Sequence, residues 1–102
     1  MDKTIRRSRA EGSVTAPSSK SYAQRAVAAA LLCEGTSTLT NMILCDDTRA
    51  ALQVAADLGA EVEAGTDGTT YTVRGGLRPH AQAIHIGESG LAARLFTPIA
   101  AL

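Results

Sequence analysis

Apolar and polar positions alternate along this chain in two periods, and the switches between them mark its elements. Residues 21–33 form an alanine-rich apolar run with helical spacing, with Ser18 or Ser19 available as the N-cap and Glu34-Gly35 as the stop. Residues 36–41 alternate Thr, Ser, Thr, Leu and Thr, which predicts a strand. Asp46 and Asp47 open a second helix, with Ala51, Leu52, Ala55 and Leu58 as its apolar stripe and Gly59 as its end. Residues 61–64 and 69–74 read as a hairpin across Gly65-Thr66-Asp67-Gly68. Gly75-Gly76 leads into a loop with Pro79 and His80. Residues 83–86 are a further short strand candidate, and Leu91 starts a third helix. Two more strand candidates, residues 4–7 and 13–16, precede the first helix. From Ser13 the predicted order is βαβαββ followed by βα. This is an α/β fold with helices on one side of a small sheet.

Composition sharpens this picture. Of 102 residues, 45% are hydrophobic but only 3% aromatic, so the core is built from Ala, Val, Leu and Ile, and stability is expected to be modest. Ten basic and ten acidic residues cancel, and no broad basic field for nucleic acid is present. The one basic cluster, Arg6, Arg7 and Arg9, reads as a solvated edge. Cys33 and Cys45 stand apart and lack a CxxC neighbour; Cys33 falls inside an apolar helix and is expected to be a buried thiol. No apolar stretch is long enough to span a bilayer and no signal peptide is visible, so a cytoplasmic location is expected.

Candidate chemistry concentrates at two helix starts. The first four N–H groups of a helix lack intrahelical partners and carry the positive end of the dipole, so anions are favoured there. Residues 17–25 place Lys20, Ser21 and Arg25 at such a start, with Arg25 four residues after Ser21 on the same face. A lysine, a hydroxyl and an arginine converging there suit a phosphate. A nucleotide P-loop is excluded, because Ser19 and Val14 stand where it needs glycines. Residues 87–94, Gly-Glu-Ser-Gly-Leu-Ala-Ala-Arg, repeat the theme: Gly90 allows close backbone approach and Arg94 lies four residues on. Asp46 and Asp47 read first as helix starters; a carboxylate here would also orient Lys20. His80 and His85 lack partners at metal-ligand spacing. The serines have no His and Asp nearby to make a nucleophile.

Four motifs in order, Pro-Ser-Ser-Lys-Ser-x3-Arg-Ala, Glu-Gly-Thr-Ser-Thr-Leu-Thr-Asn, Cys-Asp-Asp-Thr-Arg and Gly-Glu-Ser-Gly-x3-Arg, carry a resemblance. The chain is similar to the enolpyruvyl transferases from about Gly12 to Leu102. Lys20-Ser21 favours the branch acting on shikimate 3-phosphate over the sister branch acting on UDP-N-acetylglucosamine, which usually has Asn after the lysine. Members of the family are two-lobed proteins of roughly four hundred residues, their lobes built from repeated βαβαββ units. Against that pattern, residues 1–12 are an N-terminal strand segment, 13–76 one unit and 77–102 the start of the next. The apolar, uncapped run from Leu91 to Leu102 supports reading the chain as part of something longer, with a tendency to self-associate.

The resemblance implies transfer of the enolpyruvyl group from phosphoenolpyruvate to the 5-hydroxyl of shikimate 3-phosphate, in the shikimate pathway of aromatic amino-acid biosynthesis. It implies that Lys20, Ser21 and Arg25 bind shikimate 3-phosphate. Lys20 and the Gly90 N–H would meet phosphoenolpyruvate, with Asp47 and Arg94 in support. The family's acid and base come from later in the sequence, so this stretch alone is expected to be inactive. No metal or cofactor is expected, and no nucleic-acid or membrane partner. Glu88-Ser89-Gly90-Leu91 departs from the common Asn-Ala-Gly-Thr by adding a negative charge and removing a hydroxyl. A non-catalytic anion-binding module that reuses the same unit is the alternative from another class.

Overall fold

The computed structural model describes residues 2–78, 83–87 and 89–102. Helix α1 (Lys20–Leu32) begins where Ser19 caps it, its Oγ accepting the Tyr22 N–H at 3.4 Å. Ala, Leu and Gln are strong helix formers, and Ala23, Val27, Ala30 and Leu31 bury one face. Strand β1 (Thr36–Leu39) follows directly. Helix α2 (Asp46–Asp57) has Cys45 as N-cap; Thr48 Oγ1 accepts the Cys45 N–H at 2.7 Å and donates to the Cys45 carbonyl at 3.1 Å. Gly59, at φ 117°, ends that segment, and a Cβ there would come within 2.8 Å of the Arg78 backbone.

Strands β2 (Glu61–Ala64) and β3 (Tyr71–Arg74) form the expected hairpin. Asp67 organises the turn by accepting the Thr69 and Thr70 N–H groups at 2.9 and 2.8 Å. The sheet order is β1-β3-β2, antiparallel throughout. Its register aligns Ser37, Val73 and Val62 in one row and Leu39, Tyr71 and Ala64 in another. Val73 and Tyr71 in the central strand are buried under α1, and α2 packs on β2, while Thr36, Thr38, Glu61 and Glu63 face outward. Helices on one side of a small sheet are therefore observed, as the pattern predicts. Helix α3 (Gly90–Ala100) packs across α1 and α2 through Ala92, Phe96 and Ile99.

Gly75 fixes the seam between sheet and helix. Any Cβ there would collide with the carbonyls of Ala30, Leu31 and Cys33. Gly76 then donates its N–H to the Leu31 carbonyl at 2.8 Å, which satisfies an orphan acceptor at the end of α1.

Several expectations are corrected. Residues 4–7 and 13–16 are exposed and form no strand; Val14 is 95% exposed. Residues 83–86 likewise form no strand, although Ile84 and Ile86 turn half inward between exposed neighbours. A strand is completed by a hydrogen-bonded partner, and these segments have none among the described residues. The order observed is therefore αβαββα. The first strand stops at Leu39, and Asn41 turns the chain with φ 54°. Cys33 is exposed: it is the C-cap of α1, beyond the buried stripe, and both cysteines are free thiols. Pro79, His80 and Glu88 lie outside the described residues.

Candidate functional site

Three helix starts meet at one edge of the molecule. Lys20, the first residue of α1, places its Nζ 3.1 Å from Asp47 Oδ2 in the first turn of α2. Ser89, the N-cap of α3, donates its hydroxyl to Gln24 Oε1 in the second turn of α1 at 3.2 Å. Gly87, just before α3, faces the first turns of α2, where a Cβ would sit 3.6 Å from the Ala50 methyl. Each helix start carries roughly half a positive charge. Their convergence makes a region suited to anions, tempered by the carboxylates of Asp46 and Asp47.

The lysine is set for this role. Its side chain is 65% exposed while that of Asp47 is only 22% exposed, so the carboxylate is the fixed partner and the ammonium the reachable one. The hydrogen bond to Asp47 and that carboxylate's charge raise the Lys20 pKa above the ordinary lysine value, so the cation persists through neutral pH. A pair this open adds little to stability; its effect is to hold the ammonium in one direction. Ser21 is half-buried in the first turn of α1, and Arg25 is exposed one turn further along. No described carboxylate forms an ion pair with Arg25 or Arg94. Gly90 is exposed, with open space where a Cβ would stand.

Neighbouring loops brace the start of α1. Ser18 Oγ accepts the Ile43 N–H at 3.1 Å, and Asn41 Nδ2 donates to the Ala16 carbonyl at 3.2 Å. The two candidate caps thus divide the work: Ser19 caps the helix and Ser18 ties the loop before α2. Cys45, at the α2 N-cap, has its thiol pKa lowered by the Thr48 hydroxyl and the backbone N–H groups of Thr48 and Asp47. His85 is exposed, and its Nδ1 accepts the Gly87 N–H at 3.1 Å. The described residues hold no cluster of metal-ligating side chains. No described helix is long and apolar enough to cross a membrane. A cavity of about 480 Å³ lies between α1 and β1 and is lined by neither Lys20, Ser21 nor Arg25. Tyr22, Ala26 and Leu39 make it largely apolar, so the anion-favouring edge is the better site.

The sequence reading missed Gln24 and the bond Ser89 makes to it, and it placed Ser18 only as a candidate cap, not as the tie to Ile43. Gln24 had a signal: it is the one polar side chain in the apolar stripe of α1, between Ala23 and Val27, and it is 1% exposed. Its partner is 65 residues away and no local pattern names it.

Residues 5–102 match the model of the family described as EPSP synthase (3-phosphoshikimate 1-carboxyvinyltransferase). The chain belongs to the EPSP synthase family. It is 38% identical over its whole length to the 3-phosphoshikimate 1-carboxyvinyltransferase of Methanothermobacter thermautotrophicus, spanning 25% of that protein. It is 42% identical to the enzyme of that name from Thermococcus kodakarensis over 87% of this chain and 21% of the relative. Among solved structures, EPSP synthase from Acinetobacter baumannii superposes with a TM-score of 0.73 at 32% identity, covering 84% of this chain and 20% of that one. The chain thus spans a quarter or less of these family relatives.

Proposed function

We propose that this chain forms one wall of an active site that transfers the enolpyruvyl group of phosphoenolpyruvate to the 5-hydroxyl of shikimate 3-phosphate, with release of phosphate. The observation that carries this reading is the meeting of three helix starts around a lysine held by Asp47. Both substrates carry several negative charges, and a preorganised set of cations and N–H groups binds them without a metal. Lys20, Ser21 and Arg25 receive shikimate 3-phosphate. Lys20 also reaches phosphoenolpyruvate, whose phosphate meets the Gly90 N–H at the start of α3. Asp47 steers Lys20, and Arg94 supports the α3 start from its second turn. No described group here pairs an acid with a base across a substrate, so the wall binds and orients rather than moving protons. The 102-residue chain by itself is therefore inactive in this reading.

The test is calorimetric titration of shikimate 3-phosphate into the protein and three variants. A charge-assisted hydrogen bond contributes about 1.5–3 kcal/mol. Lys20→Ala and Arg25→Ala should each weaken binding by roughly ten- to a hundredfold. Lys3→Ala, in the exposed leading segment, should change it by less than about twofold. Equal small effects at all three positions would remove the phosphate site.

A further inference from the structure

The two helix starts that serve two substrates in this reading are joined by one buried side-chain hydrogen bond, from Ser89 Oγ to Gln24 Oε1 at 3.2 Å. Gln24 is 1% exposed and Ser89 is 6% exposed. The Ser89 hydroxyl oxygen also accepts the Ala92 N–H at 3.0 Å, so one hydroxyl both caps α3 and anchors it to α1. Among the described residues no other side-chain hydrogen bond connects these two helices. The rest of their contact is apolar packing, through Ala92 and Phe96 of α3. Apolar packing is non-directional and tolerates small slides and rotations, whereas a buried hydrogen bond fixes distance and angle.

We propose that Gln24 is a positioning residue for phosphoenolpyruvate: acting through Ser89, it holds the Gly90 end of α3 in register with Lys20 and Ser21 on α1. This rests on the substrate reading given above. Gln24 lies one turn below Lys20 on the same helix, and Ser89 directly precedes Gly90. Any rotation of the α3 start relative to α1 would move the Gly90 N–H away from the point where Lys20 delivers its charge. Shikimate 3-phosphate, held by Lys20, Ser21 and Arg25 of α1 alone, does not depend on that register. The consequence is a split. Losing the Gln24 bond should weaken phosphoenolpyruvate and spare shikimate 3-phosphate, whereas a purely structural glutamine would weaken both along with the fold.

The experiment compares wild type, Gln24→Met and Ser89→Gly. Methionine keeps the length and volume of glutamine without the acceptor. Glycine is well tolerated at an N-cap in place of serine, so Ser89→Gly removes the donor even if Gln24→Met folds poorly. Each ligand is titrated separately, with amide resonances followed by NMR and melting curves recorded in parallel. The expected result is phosphoenolpyruvate affinity lowered about five- to tenfold in both variants, with shikimate 3-phosphate affinity changed by less than about twofold. The Gly90 amide should shift between variants and wild type without ligand. Equal losses for both ligands, or unchanged affinity for both, would overturn the positioning role while leaving the substrate reading intact. Wild type that binds neither ligand would overturn both.

Discussion

The starts of α1 and α3 share a plan and differ in what they present. Both are capped by a serine, Ser19 and Ser89, and both carry an arginine in the second turn, Arg25 and Arg94. At α1 the cap is exposed and weakly bonded at 3.4 Å, and the element offers side chains: a lysine steered by Asp47, then Ser21 and Arg25. At α3 the cap is buried and doubly bonded, and the element offers bare backbone at Gly90. One start presents side-chain cations and the other backbone N–H groups. The first tolerates motion of its neighbours; the second depends on where the whole helix sits.

The largest expected effect tests that dependence. Phe96 is the main apolar anchor of α3 and is 2% exposed. Phe96→Ala should cost about 3–5 kcal/mol, read as a large fall in melting temperature. Because it detaches α3, the α3 amides from Ala93 onward, the first of which donates to the Ser89 carbonyl, should lose protection from hydrogen exchange before the amides of α1 do. Simultaneous loss in both helices would show that the two starts are not separable units.

Gly75→Ala should rank next. The added methyl has no room among the α1 carbonyls, and overpacking of this kind costs about 1–3 kcal/mol, occasionally more. The damage lies at the far end of α1, so thermal stability should fall, while the protein that remains folded keeps its affinity for shikimate 3-phosphate. A specific loss of that ligand without loss of stability would show that the two ends of α1 are not independent.

Gly90→Ala separates stability from binding. Beyond its chain neighbours and its own helix backbone, nothing lies within 4 Å of the point the new methyl would occupy, and alanine is the better helix residue by about 0.5–1 kcal/mol. The melting temperature should hold or rise slightly. Phosphoenolpyruvate affinity should fall several-fold, because the methyl occupies the approach to the N–H. A raised affinity would show that the backbone at Gly90 is not the contact.

Smaller still is Asp47→Asn. The pair with Lys20 is open to solvent, so stability should change little. The pKa of Lys20, raised by Asp47 in the folded state, should fall back toward the ordinary lysine value. The sign follows: a raised lysine pKa contributes stability that is present below the unfolded value and lost as pH rises through the folded one. The difference in stability between wild type and Asp47→Asn should therefore shrink in alkaline solution. NMR titration of the Lys20 side chain checks this directly.

The hairpin shows how local a legible feature can be. Gly65-Thr66-Asp67-Gly68 was readable as a turn because Asp67 satisfies its own neighbours, with its pKa lowered by the Thr70 hydroxyl and the Thr69 and Thr70 N–H groups. Helix α1 was legible for the same reason: period, propensity and cap all lie within thirteen adjacent residues. The failed strands, residues 4–7, 13–16 and 83–86, had suitable composition but no partner, and partnership is a long-range property. Cys33 was misjudged because one step past a helix end reverses which side a residue faces.

The sequence by itself determined the three helices, the hairpin and the two phosphate-suited helix starts, because caps, glycines and apolar periods act over a few residues. Tertiary structure alone decided that Lys20 meets Asp47, that Gln24 meets Ser89, and that three helix starts share one edge. Those contacts span 27 and 65 residues, counted from the numbering of each pair. They form only when burial of Val27, Leu31, Val54, Val73 and Phe96 has already set the helices against one another. Apolar burial is non-directional and leaves no sequence mark of which polar groups it will bring together.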